Sequence, residues 1–243
     1  MRDKTILVTG ASSGIGRQVA ICCAARGARL VLTARREEAL QETLRSLEGE
    51  GHLYIPANLT KSGELEALAA QVPELDGIVH CAGMSERVPV KLISKDHIER
   101  LMGLNFSATV LLQTELLKKR KLKKGASVVF VASRAASYPS PGNAIYSASK
   151  GALISYAKCL GLELAGQKIR VNCICPAMIW TDLITGQGLD EAVLREAEKR
   201  YPLKRFGEPA DVANLAAFLL SDESAWMTGS CIDLTGGGEG TLI

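Results

Sequence analysis

The beginning of the chain strongly limits the possible folds, because an apolar strand runs through a glycine turn directly into a helix. Thr5 to Val8 is a β-branched and apolar run, and Thr9 to Gly16 follows it with the sequence Thr-Gly-Ala-Ser-Ser-Gly-Ile-Gly. From Arg17 to Ala25 the pattern is helical. A strand that turns on glycines into a helix is typical of the first βα unit of a parallel sheet.

Each glycine of this turn has a physical task. Gly10 permits the tight turn, Gly14 lets the backbone approach a pyrophosphate, and Gly16 permits close packing of the helix on the strand. The phosphates then lie at the positive N-terminus of the helix. The spacing Gly-x3-Gly-x-Gly differs from the commoner Gly-x-Gly-x2-Gly, so its position in the first βα turn carries the prediction of a dinucleotide site. Ser12, Ser13 and Ile15 complete the predicted contact set.

The rest of the chain continues to alternate strands and helices, which predicts an α/β fold with a doubly wound Rossmann-type parallel sheet of seven strands and helices on both faces. No internal repeat or low-complexity segment interrupts the alternation. We predict strands near residues 4–9, 28–33, 53–57, 76–80, 126–133, 168–174 and 230–234, and helices near 14–26, 37–48, 63–71, 95–122, 145–165, 189–199 and 209–220.

Length and charge favour one domain without a nucleic-acid partner. The 243 residues can bury a two-sided core, and no Pro/Ser-rich linker divides them, so residues 1–243 are predicted to form a single domain. The formal net charge of +3 is too small to indicate nucleic-acid binding by itself. The sequence shows no signal h-region and no apolar stretch long enough for a bilayer, so we expect a cytoplasmic protein without a membrane partner.

Seven cysteines lie scattered through the predicted elements, without metal-ligand spacing. We therefore expect reduced core residues and no metal. Cys173-x-Cys175 suggests redox chemistry at first sight. The strand alternation places both on one face, however, which favours buried thiols.

A tyrosine and a lysine one helical turn apart introduce possible acid–base chemistry. Tyr146 and Lys150 lie in a helical segment, which puts the phenol and the ammonium on one face. A neighbouring positive charge lowers the pKa of a phenol, so Lys150 is expected to activate Tyr146. Ser133 closes a buried strand, where its hydroxyl can hydrogen-bond a carbonyl oxygen that gains negative charge. Together the three residues suggest ketone and alcohol redox chemistry.

Taken in order, these motifs resemble the short-chain dehydrogenase/reductase family, in its single-domain form, over nearly the whole chain. The matching segments are the glycine turn, Ala82-Gly83, Asn105, Ser133, Tyr146 with Lys150, and Asn172 with Pro176 and Thr181. The resemblance implies a catalytic tetrad of Asn105, Ser133, Tyr146 and Lys150. In that tetrad Asn105 holds a water that links Lys150 to solvent. It also implies the strand order 3-2-1-4-5-6-7.

The resemblance assigns the remaining cofactor contacts, with three departures. Asn58-Leu59 replaces an Asp-Val or Asp-Leu pair at the adenine, and His80-Cys81 precedes Ala82-Gly83 in place of two asparagines. Pro176-Ala177 replaces Pro-Gly before the nicotinamide loop, where Ile179 and Thr181 are expected to contact the carboxamide. His80, at a strand end, is expected to be a hydrogen-bonded structural histidine rather than an acid or base.

The end of the second strand predicts NADP(H) over NAD(H). An NAD enzyme places a carboxylate there for the ribose hydroxyls, whereas this chain has Ala34 followed by Arg35 and Arg36. Arg35 can bind the 2′-phosphate. The alternative is that both arginines merely lie in solvent at the start of the next helix. Ser13 stands at the family's second basic position without charge, so the preference is expected to be modest.

The substrate is expected to be a largely apolar carbonyl or alcohol compound. A lid over about residues 178–200 is expected to cover it. The substrate contacts are predicted to be Ser133 and Tyr146 together with Met84, Ala135, Tyr138, Met178 and Trp180. The function most similar by resemblance is that of 3-oxoacyl-[acyl-carrier-protein] reductases. Sugar or polyol reductases, hydroxysteroid-type dehydrogenases and a non-enzymatic NADP(H)-sensing regulator are the alternatives.

The resemblance also bears on partners. The helices 95–122 and 145–165 are expected to pack against another copy, giving a homodimer or homotetramer. The basic run Lys118 to Lys124 could dock an acidic carrier protein, or it could be a solvated helix end with cations at its C-terminus.

Overall fold

The computed structural model of the protein describes residues 1–186 and 190–238. Its centre is one sheet of seven parallel strands in the order β3-β2-β1-β4-β5-β6-β7, which confirms the doubly wound Rossmann-type fold. The strands are β1 (Thr5–Thr9), β2 (Arg29–Thr33), β3 (Leu53–Tyr54), β4 (Leu75–His80), β5 (Leu122–Val131), β6 (Arg170–Pro176) and β7 (Cys231–Leu234).

Helices cover both faces of the sheet. The order reverses between β1 and β4, and in open α/β sheets ligands bind outside the carboxyl ends of the strands at such a switch point. The helices are α1 (Gly14–Ala24), α2 (Glu37–Arg45), α3 (Ser62–Gln71), α4 (Lys95–Met102), α5 (Thr109–Lys118), α6 (Ala144–Leu164), α7 (Asp182–Thr185), α8 (Glu191–Glu198) and α9 (Pro209–Leu220).

Strand β1 shows why the sheet needs two cores. Leu7 packs with residues of α3, α5 and α6, whereas Ile6 and Val8 pack with residues of α1, α2 and α9. Successive side chains of a strand point to opposite faces, so a strand covered on both sides must be apolar at every position. Burying each such side chain contributes about 1.5–3 kcal/mol.

The predicted helix over 95–122 is wrong in its continuity and in its end. After α4, residues Gly103–Ala108 form a π-helix that contains Asn105, and α5 then ends at Lys118. Arg120 turns the chain with φ 52°, and β5 begins at Leu122, before the predicted residue 126. π-helical turns insert an extra residue, often at functional sites, and periodicity alone does not reveal them.

Two further boundaries differ from the prediction. β3 has only two residues rather than five, because it pairs on one side alone, with β2. In the lid segment α8 agrees with the helix predicted near 189–199, whereas the short helix α7 was not predicted. Residues 187–189 of that predicted lid lie outside the described residues.

All seven cysteines are free thiols. Cys173 and Cys175 are buried, in agreement with the strand alternation, but Cys159 is exposed on α6, so the expectation of core positions is wrong there. Among the described residues we find no cluster that could hold a metal ion. The helices within that same part of the chain are too short or too polar to cross a bilayer.

Candidate active site

Two adjoining depressions lie at the carboxyl edge of the sheet. The smaller, here called the inner cavity, encloses about 150 Å³, and the larger, here called the groove, encloses about 450 Å³. They share part of their walls, so the groove opens into the inner cavity. The shared residues are Ile15, Cys81, Gly83, Thr181 and Leu183.

The glycine turn forms one wall of the groove. Gly10 and Gly14 have φ of +65° and +52°, a left-handed conformation that favours glycine. A Cβ on Gly16 would lie 2.3 Å from the Gly10 carbonyl oxygen, so helix and strand touch here. Thr9 Oγ1 accepts hydrogen bonds from the backbone N–H groups of Cys81 and Ala82, both at 3.1 Å, which joins the turn to the end of β4.

Helix α1 offers its N-terminus to this wall. It begins at Gly14, and the preceding Ser13 side chain makes no capping hydrogen bond within the described part of the chain. The first N–H groups of a helix have no intrahelical partner, and they favour an anion in front of them. The cradle without side chains and the uncapped helix together fit a pyrophosphate, so the groove fits a dinucleotide.

The far end of the groove brings Arg35 and Arg36 together with Asn58 and Leu59. Both arginines are exposed, and neither forms an ion pair with any residue that the structure describes. Asn58 Oδ1 accepts from the N–H (3.2 Å) and hydroxyl (2.8 Å) of Thr60, which fixes the turn after β3. Leu59 is buried.

Three of the four predicted tetrad residues line the inner cavity: Ser133, Tyr146 and Lys150. Ser133 follows β5, and its Oγ accepts from the N–H of Ala135 at 3.1 Å. Tyr146 and Lys150 lie one turn apart on α6, as the spacing predicts. Lys150 Nζ donates to the carbonyl oxygen of Val131 at 2.9 Å and lies 5.9 Å from the centroid of the Tyr146 ring.

Asn105 lies behind this wall, fully buried in the π-helix. Its Oδ1 accepts from the Met84 N–H at 2.8 Å, and its Nδ2 donates to the Met84 carbonyl at 2.9 Å and to Ser149 Oγ at 3.1 Å. A Cβ on Gly83 would lie 3.3 Å from Asn105 Oδ1 and 3.5 Å from Lys150 Nζ. Asn105 therefore braces the segment after Gly83 beside the lysine.

Burial shifts the pKa values of the acid and its neighbour. It raises the pKa of Tyr146, and a hydrogen bond with Ser133 offsets this only in part. Burial also lowers the pKa of Lys150 to about 8. The net direction is opposite to the activation expected from Lys150, because desolvation of the phenol is the largest cause of the shift.

All but one of the predicted substrate residues line the inner cavity. Met84, Ala135, Tyr138 and Met178 line the inner cavity, and Leu183 and Ile184 of α7 join them. Trp180 does not. Its indole packs 5.4 Å from the Phe206 ring and donates to Glu198 Oε1 at 2.6 Å, so it anchors α8 instead.

Four polar residues of the inner cavity are missing from the sequence prediction: Ser85, Arg87, Arg134 and Asn143. Arg134 directly follows Ser133, and Asn143 lies three residues before Tyr146. Their closeness in sequence to the predicted catalytic residues could have indicated that they line the same site. Arg87 follows the Ala82-Gly83 turn without any pattern of its own. The lining of the cavity remains largely apolar, and these polar side chains form a minority of its wall.

His80 is structural. It stacks on Phe130 with ring centroids 4.7 Å apart, and its Nε2 lies 3.1 Å from Gln113 Oε1. Burial lowers its pKa to about 4, so the ring is neutral at physiological pH. Its position among the buried residues agrees with the structural interpretation.

The basic run Lys118 to Lys124 lies at the amino end of β5, whereas the inner cavity lies at its carboxyl end. Lys124, the end of the run, and Val131 in the cavity wall are seven residues apart along the strand, a span of roughly 23 Å at ~3.3 Å per residue. Lys118 pairs with Glu115, Lys123 pairs with Asp76, and Lys121 donates to two backbone carbonyls. The interpretation as a helix end is incomplete, because the run continues from the end of α5 through a turn into β5. Several of its cations already bind carboxylates or backbone carbonyls of this chain.

Comparisons with known proteins agree with this geometry. The model of a family described as "Enoyl-(Acyl carrier protein) reductase" matches residues 10–239. The chain is 33% identical over 241 residues to the L-xylulose reductase of Caenorhabditis elegans, covering 97% of this chain and 95% of the relative. It is 32% identical over 238 residues to the 3-oxoacyl-[acyl-carrier-protein] reductase FabG of Rickettsia felis, covering 98% of this chain and 97% of the relative.

A solved structure is also similar. The short-chain type dehydrogenase/reductase of Mycobacterium ulcerans superposes with a TM-score of 0.88 at 33% identity, over 98% of this chain and 90% of that one. The similarity therefore covers the sheet, the groove and the inner cavity together.

Proposed function

The chain belongs to the short-chain dehydrogenase/reductase family of oxidoreductases, and from this premise we propose that it interconverts a ketone and a secondary alcohol with NADP(H). The observation that carries the proposal is the convergence of Ser133, Tyr146 and Lys150 on one cavity that opens into a dinucleotide-shaped groove. The cofactor supplies the hydride when it is bound.

The residues of the inner cavity supply the remaining chemistry. The substrate carbonyl lies between Ser133 and Tyr146, and the Ser133 hydroxyl donates a hydrogen bond to its oxygen as negative charge develops. Tyr146 donates the proton that completes the alcohol. The raised pKa of Tyr146 keeps the phenol protonated before the reaction. Lys150, with a pKa lowered to about 8, stands ready to exchange protons near neutral pH.

Asn105 is assigned to positioning. Its amide holds Met84 through both backbone groups, and Met84 lines the inner cavity beside Gly83. The relay water that the family resemblance implies would lie in this neighbourhood, next to Lys150. This completes the proposed tetrad.

The proposed NADP(H) preference rests on Ala34 and Arg35. Strand β2 ends at Thr33, and the groove is lined next by Ala34, without a carboxylate, and by Arg35, without an ion pair in the described part of the chain. The guanidinium is available for a 2′-phosphate. Gly10, Gly14 and Gly16 would hold the pyrophosphate. Asn58 and Leu59 would contact the adenine, and Ile179 and Thr181 the nicotinamide.

A 3-oxoacyl thioester is our first candidate substrate, because a relative of this name is 32% identical over nearly the whole chain. A ketose sugar is the second candidate. The polar residues Arg87 and Asn143 in the cavity wall favour it, and a relative named L-xylulose reductase is 33% identical. A cofactor-sensing role without turnover is disfavoured, since Tyr146 and Lys150 are both present in the cavity.

We further propose a cytoplasmic enzyme that forms a homodimer or homotetramer. Within the described helices, Leu111 of α5 is 52% exposed and Leu162 of α6 is 81% exposed. Exposed leucines on the two helices by which the family associates support a contact with another copy. Sedimentation velocity measures the number of copies directly.

The test of the reaction is NADPH oxidation against acetoacetyl thioesters, ketoses, diketones and sterols. We expect reduction in at least one carbonyl class. A crotonyl thioester serves as the control, because it offers a C=C bond in place of the ketone. Turnover of the crotonyl compound alone would contradict the proposed ketone chemistry.

A further inference from the structure

The inner cavity contains more basic side chains than the reduction of a neutral ketone requires. Three basic side chains contribute to its wall: Arg87, Arg134 and Lys150. Within the described part of the chain no aspartate or glutamate lines it. A concave site with one sign of charge attracts ligands of the opposite sign.

Two of the three cations already have partners. Arg134 pairs with Asp233 at 2.7 Å, and its guanidinium lies 3.8 Å above the centroid of the Tyr138 ring. Lys150 Nζ donates to the carbonyl oxygen of Val131 at 2.9 Å. These contacts engage the charged groups of both side chains, and Arg134 Nε is buried without a hydrogen-bond partner among the described residues.

Arg87 is different, because it forms no ion pair with any described residue. Its Nε is buried and has no hydrogen-bond partner among those residues. The adjacent Glu86 does not compensate the charge, since its carboxylate binds Arg100 at 2.7 Å and lies 3.6 Å from His97. The guanidinium of Arg87 is therefore a donor group in the cavity wall without an acceptor.

A second unsatisfied polar group comes from the neighbouring segment. The Val88 N–H donates to the Gly142 carbonyl at 2.8 Å, which brings the Arg87 segment against Asn143. Asn143 is 7% exposed and lines the cavity, and its Oδ1 has no partner among the described residues. Its Nδ2 donates to the Ser140 hydroxyl, which can also act as donor, so the amide can present either end.

We propose that Arg87 binds an anionic oxygen group of the substrate, a carboxylate or a phosphate ester attached within a few bonds of the reacting carbonyl. Arg87 then favours an oxo acid or a ketose phosphate over the neutral thioester and the neutral ketose considered as candidates above, an inference that rests on the proposed ketone reduction. Arginine suits both groups, because its planar fork donates two parallel hydrogen bonds. The phosphate of a pantetheine arm is less suitable, since the whole arm separates it from the carbonyl.

The test compares matched substrates that share a carbonyl and differ in charge. Acetoacetate is compared with methyl acetoacetate and with the neutral acetoacetyl thioester of N-acetylcysteamine, and dihydroxyacetone phosphate with dihydroxyacetone. The ratio of kcat/KM for the anionic over the neutral member is measured with NADPH for wild type, Arg87→Gln and Arg87→Lys. Arg45→Gln, at the exposed end of α2, is the matched control.

In the wild type we expect at least one anionic member to be preferred by about tenfold or more, the factor that one charge-assisted hydrogen bond provides. Arg87→Gln should reduce that ratio by about tenfold, Arg87→Lys should retain part of it, and Arg45→Gln should leave it as in the wild type. The carboxylate and phosphate pairs identify which group is bound. Equal use of neutral and anionic members by the wild type, or a ratio that survives Arg87→Gln, would overturn the inference.

A binding measurement separates this inference from the proposed reaction. Calorimetry on the NADP⁺-saturated protein compares acetoacetate with methyl acetoacetate, and dihydroxyacetone phosphate with dihydroxyacetone, because the oxidised cofactor cannot reduce a ketone and only binding is measured. If no ketone is reduced but an anion binds through Arg87, the proposed reaction fails and the inference holds. If ketones are reduced while neither anion binds more tightly than its neutral analogue, the reaction holds and the inference fails.

Discussion

The groove and the inner cavity lie side by side at the same edge of the sheet, but the chain builds them differently. One wall of the groove is the backbone of one short segment, where Gly10, Gly14 and Gly16 bring α1 against β1. The inner cavity is made of side chains that come from separate elements, such as Arg87, Ser133 and Tyr146. A local motif therefore specifies the pyrophosphate wall of the groove, whereas the inner cavity exists only after the sheet is assembled.

The difference also appears in the electrostatics. The groove presents an uncapped helix N-terminus and two exposed arginines, all open to solvent. In the inner cavity Lys150 is buried and Tyr146 is half-buried, and desolvation raises the pKa of the phenol and lowers that of the ammonium, so that both neutral forms are favoured. Changes in the cavity should therefore affect catalysis most strongly, and changes in the groove should affect cofactor selection and folding.

The largest effect is expected from Tyr146→Phe, which keeps the ring and removes the proton donor. Turnover should fall by about a thousandfold, within the range for the loss of a general acid, while NADPH binds almost as before. Stopped-flow turnover and fluorescence titration of NADPH measure the two quantities. Tyr54→Phe, whose hydroxyl contacts Gln41 and Glu37 away from the cavity, is the control. A fully active Tyr146→Phe variant would remove the tyrosine from the mechanism.

Lys150→Met should reduce turnover by about a hundredfold or more and weaken cofactor binding, yet stabilise the fold. The pKa of Lys150 lies at about 8 in the folded protein against an ordinary 10.5, so folding disfavours the ammonium form at neutral pH. Wild-type stability should therefore rise with pH between about 8 and 10.5, as the unfolded chain loses its proton. In the variant this rise should be smaller. Urea denaturation at several pH values measures the stability of the wild type and of the variant. Identical dependence of stability on pH in the two proteins would mean that Lys150 is exposed to solvent.

The double variant Ala34→Asp with Arg35→Ala should move the cofactor preference towards NADH by one or more factors of about ten. The aspartate accepts from the ribose hydroxyls and repels a 2′-phosphate, and the lost guanidinium removes charge-assisted hydrogen bonds worth roughly 1.5–3 kcal/mol each. Titrations with NADPH and NADH measure the change. A wild type that already binds NADH more tightly would show that Arg35 does not contact the phosphate.

Gly16→Ala should lower the free energy of unfolding by about 1–3 kcal/mol. It should also weaken the binding of NADPH and of NADH by the same factor. The new Cβ would meet the Gly10 carbonyl oxygen at 2.3 Å, and this backbone atom cannot move aside cheaply. Gly63→Ala is the matched control, because nothing within 4 Å would meet its Cβ. Urea melts of the two variants should differ clearly. Equal stability would mean that the turn tolerates a side chain.

Particular residues show how far the sequence could predict the molecule. The glycine turn, the alternation of elements and the Tyr146–Lys150 spacing are local patterns, and each led to a correct placement in the structure. Trp180 was misplaced because its indole N–H binds Glu198, a partner that the local pattern around it does not indicate. The π-helix around Asn105 escaped prediction because an inserted residue leaves the apolar pattern on both sides intact.

By itself, then, the amino-acid sequence determined the class of fold, the dinucleotide turn and the acid–base pair, because each depends on residues a few positions apart. Only the tertiary structure decided the charge of the inner cavity and the protonation of its acid. Arg87 faces the site because Val88 is hydrogen-bonded to Gly142, far along the chain. The Tyr146 pKa rises because distant segments exclude water from the phenol. Burial and long-range packing are properties of the assembled sheet, and no local pattern contains them.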